Sequence, residues 1–181
     1  MDRRQRKTRK AIFDAFEGLM AEEHYSQATV AQIIERADIG RSTFYGHFES
    51  KDELTDSICR EMFDHVFEGV NDDCVTHAHL ETPDLQGMLA HLLYHLRDAH
   101  SGVCGKLVME GEPHFMAYFR AKLAELFAAD MPEVPRQVPA DLMGQMLVSS
   151  FCQAVSWWFG NGCKERPEQV AEWFMLPIER S

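Results

Sequence analysis

Residues 29–53, TVAQIIERADIGRSTFYGHFESKDE, constrain this chain more tightly than any other stretch. Val30, Ile33, Ile34 and Ala37 recur at i, i+3, i+4 and i+7, which sets four apolar side chains on one helix face. Asp38-Ile39-Gly40 breaks that helix where a helix-turn-helix connection commonly carries a glycine. The spacing predicts a second helix over 41–48 that turns Phe44 and Phe48 inward. At about 100° per residue, Ser42 and Gly46 lie nearly opposite Phe44, flanked by Thr43 and Tyr45. Aromatic anchors inside and small polar groups outside suit a helix that enters a DNA major groove. Ser50-x-x-Glu53 is a capping box, so another helix starts at Lys51. There the lysine charge adds to exposed backbone N–H groups, which suits a phosphate. Among the outward residues, Arg41 alone can grip a guanine through two hydrogen bonds. Gly46 costs about 1 kcal/mol in a helix interior, yet lets the backbone approach DNA closely.

The rest of the chain also carries helical periodicity, and the fold class is all-α. A first helix over 5–22 has Ile12, Phe13, Phe16, Leu19 and Met20 as its inner stripe. The helix from Lys51 is predicted to reach about Val75 on Leu54, Ile58, Met62, His65 and Val66, followed by a polar loop over 74–81. Thr82-Pro83 opens a further helix, with Leu85, Met88, Leu89, Leu92, Leu93 and Leu96 as its apolar face to about His100. A short helix over 101–110 and one opened by Pro113 follow. Three prolines in 131–139 mark a linker. Residues 140–159 are apolar on nearly every side and stop at Gly160-Asn161-Gly162, and Pro167 opens the last helix.

The order Thr29-Val30, then Ile39-Gly40-Arg41-Ser42-Thr43-Phe44-Tyr45-Gly46-His47-Phe48 and Ser50-Lys51-Asp52-Glu53-Leu54, resembles the DNA-binding domain of the tetracycline-repressor (TetR) family. The signature covers roughly the first third of the chain. The remainder is similar only in length, helical character and an aromatic-rich ending. The resemblance implies a helix-turn-helix domain over residues 1–50 and a helical dimerisation and effector domain over 51–181. It implies a transcriptional regulator, read here as a repressor, that binds a palindromic double-stranded operator as a homodimer and is released by a small-molecule effector. A DNA-binding co-regulator switched by a partner protein or a metal ion is the alternative. By the family pattern Thr29, Tyr45, His47 and Lys51 contact phosphates. Arg41, Ser42, Thr43 and Tyr45 are assigned to base edges, with Gly46 among the DNA-contacting positions.

The charge distribution fits such a protein better than the net charge of −11 does. Six of the 18 basic residues fall in the first ten positions; residues 1–51 carry +1 and residues 52–181 carry −12. A basic arm and near-neutral head on an acidic body direct DNA to one end. The five cysteines are odd in number, scattered and without a C-x-x-C pair, as expected for reduced thiols in the cytoplasm. The basic N-terminus precedes an amphipathic stretch, so no signal peptide is read there. The most apolar run, 144–160, holds Gln145, Ser149, Ser150, Gln153 and Ser156 and is too polar for a membrane span. A Gly-rich phosphate loop, H-E-x-x-H and G-x-S-x-G are all missing from the sequence, which argues against an enzyme.

A helix apolar all round must be buried all round, and a chain this small can hardly enclose 142–159 together with the last helix. These helices are therefore expected to pair with their copies in a homodimer through Leu142, Met146, Ser149, Gln153, Trp157, Val170, Trp173 and Phe174. Phe63, Phe67, Met88, Leu92, His95, Phe115 and Phe119 are the candidate effector-pocket residues, with ordinary core as the competing reading. His91 and His95 stand i, i+4 as a zinc pair would, with His100, Cys104 and His114 downstream. His91, however, lies about 120° from the apolar face, and no third ligand has a diagnostic spacing. The histidines are read as solvated or core-edge, and no metal or cofactor is assigned.

Overall fold

The computed structural model describes residues 3–67, 84–97, 102–130 and 138–179. These residues form α1 (Arg3–Glu22), α2 (Val30–Arg36), α3 (Arg41–Tyr45), α4 (Lys51–Phe67), α5 (Leu85–Arg97), α6 (Gly102–Glu110), α7 (Pro113–Ala129), α8 (Ala140–Gly160) and α9 (Pro167–Glu179). The expected run of α4 to Val75, the loop over 74–81, the Thr82-Pro83 start, the end of α5 near His100 and most of the proline linker lie outside the described residues. No helix among the described residues is long and apolar enough to cross a membrane.

The head forms as its stripes dictate. Ile12, Phe16, Leu19 and Met20 of α1 are buried together with Ile33, Phe44 and Phe48. Phe13 stacks on Phe48 at 5.9 Å, and Phe44 lies 6.0 Å from Phe48. Thr29 starts α2 with a capping box: its hydroxyl accepts from Gln32 N at 3.3 Å, while the Gln32 side chain accepts from Thr29 N at 2.8 Å. The third helix ends at Tyr45 instead of Phe48, with Gly46 as its C-cap. Glycine is a poor helix former, so the helix stops there. Phe48 still turns inward because its N–H reaches Phe44 O at 2.9 Å.

In the body α5 packs against α4, α6 and α9, while α7 packs against α4 and α8. This crowding corrects the expectation for His91, which is 2% exposed. With neighbours on three sides, α5 has no solvent face at that position. At Gly105 a Cβ would sit 2.2 Å from Leu96 O and 2.7 Å from Phe159 Cζ. Only glycine lets α6 approach α5 and α8 so closely.

Helix α8 is two-sided. Leu147, Val148, Phe151, Cys152, Val155 and Trp158 face inward, and Trp158 Nε1 donates to Glu165 O at 2.9 Å. Leu142, Met146, Ser149, Gln153 and Trp157 are exposed on the other side. Trp173 is exposed as well, its ring 6.2 Å from that of Trp157. Two of the expected interface residues belong to the chain's own packing instead. Val170 is buried, and Phe174 lies 5.2 Å from Phe151 and 5.8 Å from Phe127. They point inward because α9 lays that face against α5 and α8.

Candidate nucleic-acid interface

Buried Phe44 and Phe48 fix the opposite side of α3 toward solvent. Arg41, Ser42, Thr43, Tyr45 and Gly46 are all exposed. Tyr45 is 47% exposed while its ring meets Phe44 edge-on at 5.5 Å, so the phenol is held outward by its own stem packing. His47 is half-buried beside Phe48 at 6.2 Å. Thr29 is exposed at the start of α2, its hydroxyl shared with the capping box. The exposed side of α3 thus presents guanidinium, hydroxyl and phenol groups over an apolar base.

Lys51 is arranged differently from the sequence expectation. Its ammonium turns inward and donates to Tyr25 O at 2.5 Å and Ala28 O at 2.8 Å, lying 3.9 Å from the centre of the Tyr25 ring. Partial burial lowers its pKa, against the pull of Asp52 and Glu112. The two carbonyls belong to the loop between α1 and α2. Lys51 thus stitches the start of α4 to that loop. Tyr25 completes the junction: its hydroxyl donates to Asp52 Oδ1 and receives a 3.4 Å bond from Thr55 Oγ1. Burial and the neighbouring Asp52 carboxylate push the Tyr25 phenol well above its ordinary pKa.

The basic arm also divides its work. Arg9 binds Ser57 and Glu61 (2.7 Å) on α4 and lies over the Phe13 and Phe48 rings at 4.9 and 5.0 Å. Arg3, Arg4, Arg6 and Lys7 are exposed along the first turns of α1. A second joint ties head to body: Lys106 donates to Met20 O and, at 2.7 Å, to Glu23 O, while Glu110 accepts from Tyr25 N at 3.1 Å. The ammonium meets the carbonyl-rich end of α1, where positive charge is favoured.

Of the effector-pocket candidates, Phe63, Leu92, Phe115 and Phe119 are essentially fully buried. Phe119 lies 5.5 Å from Phe63 and 5.7 Å from Phe115. Met88 and His95 are half-buried; the side chain of Phe67 lies outside the described residues. A cleft of about 640 Å³ opens elsewhere, between α7 and α8, beside Arg120, Ala124, Gly144 and Gln145. The sequence reading missed the partner of His91 and His95. His65 of α4 joins them, with one ring nitrogen from each residue lying within 4.8 Å of the others. Its place on the α4 inner stripe was the available signal; the pairing of α4 with α5 was not.

Residues 12–58 match the model of the bacterial regulatory proteins of the tetR family, and residues 83–178 match a transcriptional regulator C-terminal region. The chain is 37% identical over 71 residues to an uncharacterised HTH-type transcriptional regulator, YxbF, of Bacillus subtilis (strain 168), covering 36% of this chain and 19% of that protein. It is 39% identical over 56 residues to the dhaKLM operon transcriptional activator DhaS of Lactococcus lactis subsp. lactis (strain IL1403), covering 31% of this chain and 30% of that one. Both alignments thus span less than a third of the relative's own length. A solved TetR transcriptional regulator from Streptococcus agalactiae 2603V superposes with a TM-score of 0.77 at 29% identity, over 98% of this chain and 96% of the other.

Proposed function

Because this chain belongs to the TetR family of DNA-binding transcriptional regulators, we propose that it binds a palindromic operator as a homodimer and represses from it until an effector releases it. The observation that carries the reading is the solvent-facing side of α3, held outward by Phe44 and Phe48. In this proposal residues 1–50 read DNA and residues 51–181 dimerise and receive the effector, in the cytoplasm. Arg41, Ser42, Thr43 and Tyr45 reach base edges; Thr29, His47 and the exposed arm arginines hold phosphates, with the Gly46 backbone close to the duplex. Lys51 supports that surface by fixing the α1–α2 loop on which Thr29 stands. The exposed stripe of α8, with Trp173, pairs with its copy and spaces two recognition helices one turn of DNA apart.

Selection of sites from random DNA tests the reading directly. The expected outcome is an inverted repeat. Arg41→Ala should change the preferred base at one position in each half-site, by about 1–3 kcal/mol of discrimination. A reporter driven by the selected site should rise when the regulator is deleted. Absence of any enriched sequence at low salt would refute operator recognition, and a falling reporter would make the protein an activator.

A further inference from the structure

We propose that His65, His91 and His95 form a binding site for one late first-row divalent cation of the zinc class. Three imidazoles from two helices converge here. The ring centroids are 5.1 Å apart for His65–His91, 4.7 Å for His65–His95 and 4.5 Å for His91–His95. One ring nitrogen from each residue lies within 4.8 Å of the other two. Tetrahedral zinc with bonds of about 2.0–2.1 Å requires ligand nitrogens roughly 3.3 Å apart. From 4.8 Å at most the nitrogens close by about 1.5 Å, and any pair that stands closer than about 3.3 Å opens to that distance, adjustments that rotation about the side-chain bonds supplies.

The chemistry of the donors selects the ion. Among the described residues the cluster offers three imidazole nitrogens and no carboxylate, a set that suits Zn²⁺, Co²⁺, Ni²⁺ or Cu²⁺ and does not suit Mg²⁺ or Ca²⁺. The three described ligands leave a fourth position of the tetrahedron to a further donor. His91 is 2% exposed, on a helix whose Leu89, Leu92, Leu93 and Leu96 are all buried. Imidazoles are costly in such a place unless their polar atoms are engaged. His91 Nε2 and His95 Nε2 are 2.7 Å apart, a hydrogen bond that places a proton where the metal would sit. Uptake through both Nε2 atoms needs the donor ring to carry its proton on Nδ1 instead, with no net change in charge on either ring. The bound ion would clamp α4 to α5, and α4 begins at Lys51, where the DNA-reading head meets the body. Metal binding itself does not depend on the operator reading; only a change of operator affinity on loading would.

Untagged, metal-stripped protein titrated with Co²⁺ and dialysed against Zn²⁺ tests the site. One equivalent per chain is expected, with the visible absorption of four-coordinate Co²⁺ and no sulfur charge-transfer band. His65→Gln and His95→Gln, both at half-buried positions, should each lose stoichiometric binding. Zn²⁺ should raise the melting temperature of the wild type and leave both variants, folded by circular dichroism, unmoved. Failure to retain one equivalent, a cysteine signature, or unchanged binding in both variants would overturn the site. None of these readouts involves DNA, so they fail or succeed apart from operator recognition.

Discussion

Replacing Lys51 with methionine separates two roles that the sequence could not. Methionine keeps the unbranched stem and the helix propensity but cannot donate. The ammonium now makes two charge-assisted bonds, to Tyr25 O and Ala28 O, and a contact with the Tyr25 ring. Hydrogen bonds to charged groups contribute about 1.5–3 kcal/mol each, and a cation–π contact at a part-exposed site about 0.5–1 kcal/mol. Against this stands the cost of burying the ammonium, which is what lowers its pKa. A net loss of about 2–3 kcal/mol follows. For a chain of this size that is roughly 4–12 °C in melting temperature. The assay pairs thermal unfolding with operator binding across a salt series. Lys51→Met should melt earlier while the dependence of affinity on salt stays parallel to that of the wild type. A phosphate-bound lysine would behave in the opposite way, with the salt slope falling by about one unit. An unchanged melting temperature together with that shallower slope would refute the structural role.

Trp157→Glu places a carboxylate in the exposed stripe of α8, so light scattering should show monomers and operator affinity should collapse; a variant that stays dimeric puts the interface elsewhere. Tyr25→Phe tests the buried phenol through pH. The folded phenol has a pKa raised above that of the unfolded chain, so its contribution is complete below about pH 10 and is lost as pH rises above that value. The depressed Lys51 pKa acts in the reverse sense just below the ordinary lysine range, but it is common to both proteins. The stability difference between wild type and Tyr25→Phe, measured by urea titration, should therefore shrink between pH 9 and pH 11, values set by the ordinary phenol pKa of about 10. A constant difference would show that the phenol is not held protonated.

What was legible in the sequence was whatever local periodicity could carry. Val30, Ile33, Ile34 and Ala37, the break at Asp38-Ile39-Gly40 and the Ser50–Glu53 box placed α2, α3 and the start of α4 without reference to the rest of the molecule. The end of α3 was misplaced because the Gly46 turn keeps Phe48 on the same side as Phe44, so the inward pattern outlives the helix. Which side chains meet across helices was not legible. Lys51 had the position of a phosphate ligand by sequence, and only the fold of the α1–α2 loop brings two carbonyls under its ammonium. His91 falls off the one apolar face that spacing reveals, whereas α5 is enclosed by α4, α6 and α9. His65 was visible on the α4 stripe, yet nothing in spacing joins positions so far apart in the chain.

The two joints between head and body bear on how such a regulator can be switched. One runs through α4, which leaves the head at Lys51 and passes Phe63 and His65 before its end. The other is the polar contact of α6 with the end of α1, where Lys106 and Glu110 hold Met20, Glu23 and Tyr25. Tyr25 belongs to both, since its backbone answers to Glu110 and Lys51 and its hydroxyl to Asp52. A shift of α4 relative to α6 must therefore strain hydrogen bonds centred on one residue, directly behind the loop that carries Thr29. A ligand moves the recognition helices only if it binds one arrangement of this junction more tightly than the other. By linkage, a ligand that releases DNA is bound less tightly when the operator is occupied, by the same factor. Phe63, Phe119 and the histidine cluster all lie on or against α4 and so touch the first joint directly. The open cleft between α7 and α8 includes no residue of either joint, and reaches the head through the packing of α7 on α4 and of α7 and α8 on α6. Under the proposed release by an effector, the hydrogen bonds of the Tyr25 junction lie between the body helices α4 and α6 and the loop that carries Thr29.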